Sequence, residues 1–452
     1  PAYVIAYLYT DLLEFAGPVQ RFLRALFEWE LARDYWFPEV RSMGGGLMLM
    51  GLVLYPYVYL MARASFLEQS PSLTDASRLT GRSWWRTFLF VSLPIARPAI
   101  AIGVALALME TLNDFGTVDF FAIRTLTAGL YDVWLNMNNL GGAAQIASVM
   151  LSFVIVLLGL EYMGRRRARF YQSASRFARR PRHSLAGFPR VVALILCGAP
   201  VLFGFVLPFS MLLDYGRRYF GESWTPEFRD YVFNSLMVSG LAAMLCVVMA
   251  ILVCYTRRIH RTPFVIIASR IASLGYAVPG AVLAVGIVIP LARFDNAVDA
   301  FFREHFDLST GLLLTGSIFA LVMTYVIRFL AISIGSVESS MSKISESVDM
   351  ASRTLGNSAF RTLRLIHLPL LRSGILTAGL IVFVDCMKEL PATLLLRPFN
   401  FDTLSTHVYQ YASDERIEVS ALGALCIVAA GLIPVLLLSK TISSSQQLDP
   451  TQ

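Results

Sequence analysis

Acidic residues stand at matching places in two distant stretches of the chain: Glu110, Asn113 and Asp114 in the first, Asp385, Lys388 and Glu389 in the second. Each set follows a Leu-Pro pair, Leu93-Pro94 or Leu368-Pro369, with the leading acid sixteen residues past the proline. Carboxylates in such a place can offer oxygen ligands to a small, highly charged cation. They can equally pair with a neighbouring base, as Lys388 with Glu389. Both readings stay open from the residues alone. The setting gives them weight, because each set lies at the outer end of a long apolar run. A charge there is costly in lipid and normally faces a protein interior or a water path, so the two sets are expected to converge on a pseudo-twofold axis. His183, His260, His305, His367 and His407 are scattered, and no metal site is assigned.

The element upstream of each Leu-Pro is also duplicated. Asp75-Ala76-Ser77-Arg78 leads to Gly81, and Met350-Ala351-Ser352-Arg353 leads to Gly356, the glycine five residues past the alanine and the proline thirteen past the glycine in both. Such a spacing predicts a short helix, a glycine in the left-handed conformation that ends it, then a basic amphipathic segment entering the next apolar run. Ser72-x-x-Asp75 reads as a capping box at the first helix start. A helix outside the bilayer, small on one side and basic on the other, suits a groove in a soluble partner.

Composition sets the class. Apolar residues make up 56% and charged residues 15%, and mean hydropathy is +0.61, far from the balance of a soluble domain. Nine apolar blocks approach the roughly 20 residues that a spanning helix needs: 44–63, 95–112, 143–163, 189–213, 231–255, 264–292, 311–334, 370–387 and 419–439. The opening block Pro1–Phe15 makes a tenth. No two-residue alternation runs through them, so the chain is predicted to be an all-α, multi-pass membrane protein.

Lysine and arginine mark cytoplasmic loops. The acid-free run from Arg165 to Arg182, the basic Arg257–Arg261 and both repeat loops fall on that side. The loops 214–230, 293–307 and 398–418 mix acids and bases and are placed outside. The net charge of +7 is thus a topology signal, and nucleic-acid binding is set aside. The five cysteines, Cys197, Cys246, Cys254, Cys386 and Cys426, read as small core residues. Pro1 matches Pro279 in distance to the repeat glycine, 80 residues against 77. Two more spans precede Pro279, so twelve are expected in all, with two missing ahead of Pro1.

The twin loops resemble the EAA loop of ABC-importer permeases: Glu-Ala-Ala, three residues, Gly, nine residues, Ile-x-Leu-Pro. Asp75 and Met350 stand at the Glu position, with Asp349 adjacent to the latter. The resemblance implies two parallel pseudo-repeats of the type I ABC-importer permease fold, residues 1–183 (with the basic linker) and 184–452. It makes Asp75, Ala76, Ser77, Arg78, Gly81, Leu93 and Pro94, and Asp349, Ala351, Ser352, Arg353, Gly356, Leu368 and Pro369, the ATPase-coupling residues. The partners it implies are two copies of an ABC ATPase, carrying ATP and Mg, and a periplasmic substrate-binding protein, with the chain in a bacterial inner membrane. No Gly-x-x-x-x-Gly-Lys-Ser/Thr loop occurs in the sequence, so no catalysis and no cofactor are expected in this chain.

The stretches 109–118 and 385–404, followed by 409–416, are similar to signature segments of the ferric-iron permeases. Glu110, Asn113, Asp114, Asp385, Lys388 and Glu389 are then candidates for the translocation path. Thiamine, polyamine, sulfate and aminophosphonate permeases share the loop but match these stretches less well. A secondary transporter would also carry repeats and intramembrane acids, but commonly in inverted topology, whereas both loops here lie on one basic side.

Overall fold

The computed structural model describes residues 1–166 and 185–447. Most of the basic 165–182 linker lies outside the described residues. Within them every regular element is helical, as lipid requires of a chain that must satisfy its own backbone. Eight helices are long and apolar enough to cross a membrane. The opening and closing apolar runs are helical too, as Ala2–Leu13 and Ile417–Gln447.

One predicted span is broken. The run 264–292 divides into helix Pro263–Ala272, a tight turn at Gly275–Ala277 and helix Gly280–Phe306, which continues through the residues 293–306 read as a loop. Pro279 cannot donate to a helix turn, and it holds Val278 extended at φ −83°, ψ 126°. Gly275 presses on the helix Ile318–Met341 so closely that a Cβ there would lie 1.8 Å from the Ile327 carbonyl oxygen.

The chain forms two compact units, Pro1–Asp132 with Ser148–Met211, and Val133–Ala147 with Leu212–Gln452. Compactness and duplication divide the chain differently. The segment after the linker packs with the first unit, where the Tyr9 hydroxyl donates to the Phe203 carbonyl at 2.6 Å. Trp134 packs on the core of the second.

In the second unit the core joins helices Pro226–Ile259, Ile318–Met341 and Leu368–Met387. Ala242, Cys246, Ala250 and Cys254 recur every four residues, all buried, and let the first two backbones approach. The Cys246 and Cys254 thiols donate to the carbonyls of Val326 and Ile334 at 3.7 and 3.6 Å. Small size and a weak donor thus explain those two, and Cys386 is buried with them. Cys197 departs from the expectation, since it is exposed.

In the first unit Met43–Glu68 packs along Leu93–Asn113, tightly at Gly103, where a Cβ would lie 2.7 Å from Val58 Cα. Each unit also seats a buried helix start on a short helix. Tyr7 meets Phe120 edge-on at 4.4 Å, and the start of Gly280–Phe306 packs on Pro391–Leu396.

Replacing Gly103 forces backbone apart, whereas a Cβ at Gly129 meets nothing within 4 Å. Gly103→Val is therefore expected to lose about 1–3 kcal/mol and Gly129→Ala to be neutral or better. Thermal unfolding in detergent checks this, and equal melting of the two variants would contradict the close approach.

Candidate functional site

Both loops fold alike. Their helices, Pro71–Leu79 and Glu346–Thr354, start 275 residues apart (71 to 346) and have equal length. The first starts differently from the capping box read in the sequence. Pro71 takes the first helical position, Ser70 precedes it without a side-chain cap bond, and the Ser72 hydroxyl meets that of Ser70 at 2.7 Å. Proline supplies a preset φ where an amide would go unused in any case.

Each helix ends at a glycine in the left-handed region, Gly81 at φ 78° and Gly356 at φ 77°. Their N–H groups donate to Arg78 and Arg353 carbonyls, both at 2.9 Å. A Cβ would meet nothing within 4 Å at either, so the requirement for glycine is one of backbone conformation.

One side chain of each triplet turns inward. Ser77 Oγ meets Thr87 Oγ1 at 3.1 Å, and Ser352 Oγ meets Thr362 Oγ1 at 2.7 Å, both pairs buried. Asp75, Ala76 and Arg78, and likewise Met350, Ala351 and Arg353, are exposed. Exposed apolar side chains flank them: Leu79, Trp84 and Trp85 in one loop, Met350, Leu355 and Phe360 in the other. Exposed apolar side chains clustered around a loop helix make a surface suited to being covered.

A wide π turn, Phe88–Ser92 or Leu363–His367, links each threonine to the Leu-Pro start of the next span, with the Leu93 and Leu368 amides donating five residues back. Pro94 and Pro369 lack an amide to give, and the wider turn accommodates that loss. Asp349, beside Met350, faces inward: Arg258 Nε donates to one carboxylate oxygen at 2.7 Å, and His367 Nε2 lies 2.6 Å from the other. Burial alone would raise the Asp349 pKa, but these hydrogen bonds and charges hold it below the usual carboxylate range.

The acids at the span ends have structural partners. Asp114 accepts N–H from Thr117 at 2.9 Å and Val118 at 3.3 Å, and the Thr117 hydroxyl at 3.1 Å, so it caps the short helix Gly116–Phe120. Glu389, 275 residues on, accepts the Ala392 N–H at 3.2 Å in the first turn of Pro391–Leu396. Lys388 pairs with Asp385 at 2.8 Å. Asn113 is buried, and Glu110 is half-buried.

Glu389 meets a base that the sequence reading passed over. Arg328, midway along Ile318–Met341, brings Nε to 3.6 Å from Glu389 Oε2, with both side chains 5% exposed or less. Gly280 makes the room: a Cβ there would lie 2.4 Å from Glu389 Oε1 and 2.8 Å from Arg328 Nη1. The signal for Arg328 was a single base inside the apolar run 318–337, which is a functional flag in a membrane helix. At the matching place in the first repeat stands Val53.

The family described as binding-protein-dependent transport system inner membrane component matches residues 2–169 and again 247–447. The chain belongs to that family. This permease is similar over 89% of its length, at 26% identity, to the Fe(3+)-transport system permease protein FbpB 2 of Haemophilus influenzae, covering 77% of that protein. The ferric transport system permease protein FbpB of Actinobacillus pleuropneumoniae is 21% identical over 95% of the permease and 62% of its own length. The molybdenum transport system permease protein ModB of Escherichia coli is 25% identical, but over only 27% of the permease and 57% of that protein. The permease thus spans about three quarters of the first relative and under two thirds of the second. The double family match agrees with the duplicated loops, and the eight long apolar helices agree with a multi-pass inner-membrane protein.

Arg328→Met would leave the Glu389 carboxylate buried and unpaired, a loss of roughly 3–5 kcal/mol. Arg328→Met with Glu389→Gln keeps the Ala392 bond without the stranded charge and is expected to recover more than half of it. Denaturation of the three proteins in one detergent checks the order. A double variant less stable than the single one would contradict the pairing.

Proposed function

We propose that this permease is the membrane subunit of an ATP-driven importer that carries ferric iron into the cytoplasm. The observation that carries the reading is the duplicated loop helix, which in both copies is anchored by a buried serine hydroxyl, closed by a left-handed glycine and bears exposed residues on either side of that serine. Each such helix suits the cleft of one ATPase subunit, two copies in all, with ATP and Mg2+ held there. A periplasmic iron-binding protein would deliver the cargo to the opposite side.

Closure of the ATPase pair would draw both helices together and open the spans outward. Hydrolysis would return them, each step shifting a two-state equilibrium by differential affinity. Ferric cargo is supported by the extent of similarity: the two ferric relatives match 89% and 95% of the permease, the molybdenum one 27%. Carboxylates are hard oxygen donors suited to that ion. Glu110, Asn113, Asp114, Asp385, Lys388 and Glu389 stay the candidate path residues.

Gly81→Val and Gly356→Val place a β-branched residue in a left-handed conformation, at a cost of about 1–2 kcal/mol, roughly a tenfold shift in a local equilibrium. With the ATPase and binding protein in proteoliposomes, each variant is expected to keep hydrolysing ATP while uptake of radiolabelled ferric iron falls. Undiminished uptake by both would overturn the coupling role. Uptake of molybdate but not of iron by the unaltered permease would overturn the cargo.

A further inference from the structure

The second loop helix is tied to its unit by a charged junction, and two of its members, Asp349 and His367, have uncharged residues at the matching places of the first repeat. Arg258 lies one residue before the end of helix Pro226–Ile259. Its guanidinium donates Nε to Asp349 at 2.7 Å, Nη1 to the Met341 carbonyl at 2.9 Å, and Nη2 to the Ile344 and Ser345 carbonyls at 2.9 and 3.1 Å. Met341 is the last residue of helix Ile318–Met341, and Ser345 is the cap of the loop helix. One cation thus supplies donors to the free carbonyls of one element and of the turn that starts the next.

Asp349 continues the chain of contacts. Its second oxygen lies 2.6 Å from Nε2 of His367, a fully buried ring closing the π turn that opens into Leu368–Met387. Tyr255 stands against that ring at 5.4 Å and gives its hydroxyl proton to the Ala359 carbonyl at 2.6 Å. Three spans and the loop helix therefore meet at one carboxylate and one guanidinium. The side chains of Arg258 and Asp349 are only 12% and 20% exposed, so these charge-assisted bonds are stronger than their counterparts in water.

In the first repeat the places of Asp349 and His367 are held by Thr74 and Ser92. Neither can carry a charge. There Ser77 meets Thr87, and the Gln69 amide donates to the Ser92 carbonyl at 2.8 Å.

We propose that Arg258, Asp349 and His367 are positioning residues that make the second loop helix a stiff lever on three spans, so that the two ATPase contacts are mechanically unequal. The proposal rests on the coupling role given to the loops above. Asp349→Asn keeps the shape and removes the charge. In the permease assembled with its ATPase and binding protein, it is expected to retain ATP hydrolysis but to move about tenfold less iron per ATP. Thr74→Ala, in the first loop, is expected to change that ratio less than twofold. His367→Gln, which keeps a donor for Asp349, should transport more per ATP than His367→Leu.

A second measurement needs no variant. Amide hydrogen exchange of the unaltered permease is expected to be at least tenfold slower over 346–354 than over 71–79. If Asp349→Asn transports normally per ATP while Gly356→Val does not, the junction is not the lever and the coupling role stands. If Gly356→Val is also normal, the second loop does not couple and the lever fails with it. Equal exchange in the two helices would overturn the inequality.

Discussion

A pair of hydroxyls ten residues apart, buried in both halves, fixes the geometry on which the rest of each loop depends. Ser77 with Thr87 and Ser352 with Thr362 hold a two-and-a-half-turn helix against the start of the next span. A helix of nine residues is too short to be stable alone in water, so this anchor and the glycine turn help to keep it formed, joined in the second loop by Arg258 and His367 on Asp349. With one face taken, the residues on either side of the serine must point away, and the small Ala76 and Ala351 leave that surface open to a close partner. The π turn and Leu-Pro then carry any displacement of the helix into the span without a flexible linker between them.

Charge inside the spans follows a related logic. Asp114 and Glu389 each sit where a span ends, and each caps the short helix that follows. Both units use a carboxylate to satisfy amides that lipid could not. The second unit adds Arg328 and pairs it with Glu389 in a space that only glycine at 280 leaves free. The first, with Val53 and Ala2 in the matching places, builds the same turn with the shorter Asp114. The repeats thus share a backbone plan and differ in how much charge they bury, as they differ again at Thr74 against Asp349.

Much of this was legible in the sequence, for identifiable reasons. The loop spacing gave the helix, and the glycine requirement followed because only glycine enters the left-handed region freely. Long apolar runs marked most spans, since lipid imposes length and composition directly. What stayed hidden depended on contacts between distant elements. Val278-Pro279 broke a run that hydropathy read as continuous, because hydropathy sums residues without regard to which amide a proline removes. The Ser72/Asp75 capping box lost to Pro71, which starts the helix two residues earlier. Asp349 read only as a coupling residue beside Met350, because its partners, Arg258 and His367, lie 91 residues before it and 18 after it. Arg328 was visible as a single base in an apolar run, but only the fold shows that it meets Glu389.

The most direct measurement places a photoreactive amino acid at Leu79 or at Leu355, the two leucines beside the loop glycines, 89% and 81% exposed. With the ATPase present, each position is predicted to cross-link to the ATPase subunit, and the doubly substituted permease to capture two copies. Cross-linking from neither position, with the complex otherwise intact, would contradict the assignment of both loops as ATPase docking helices.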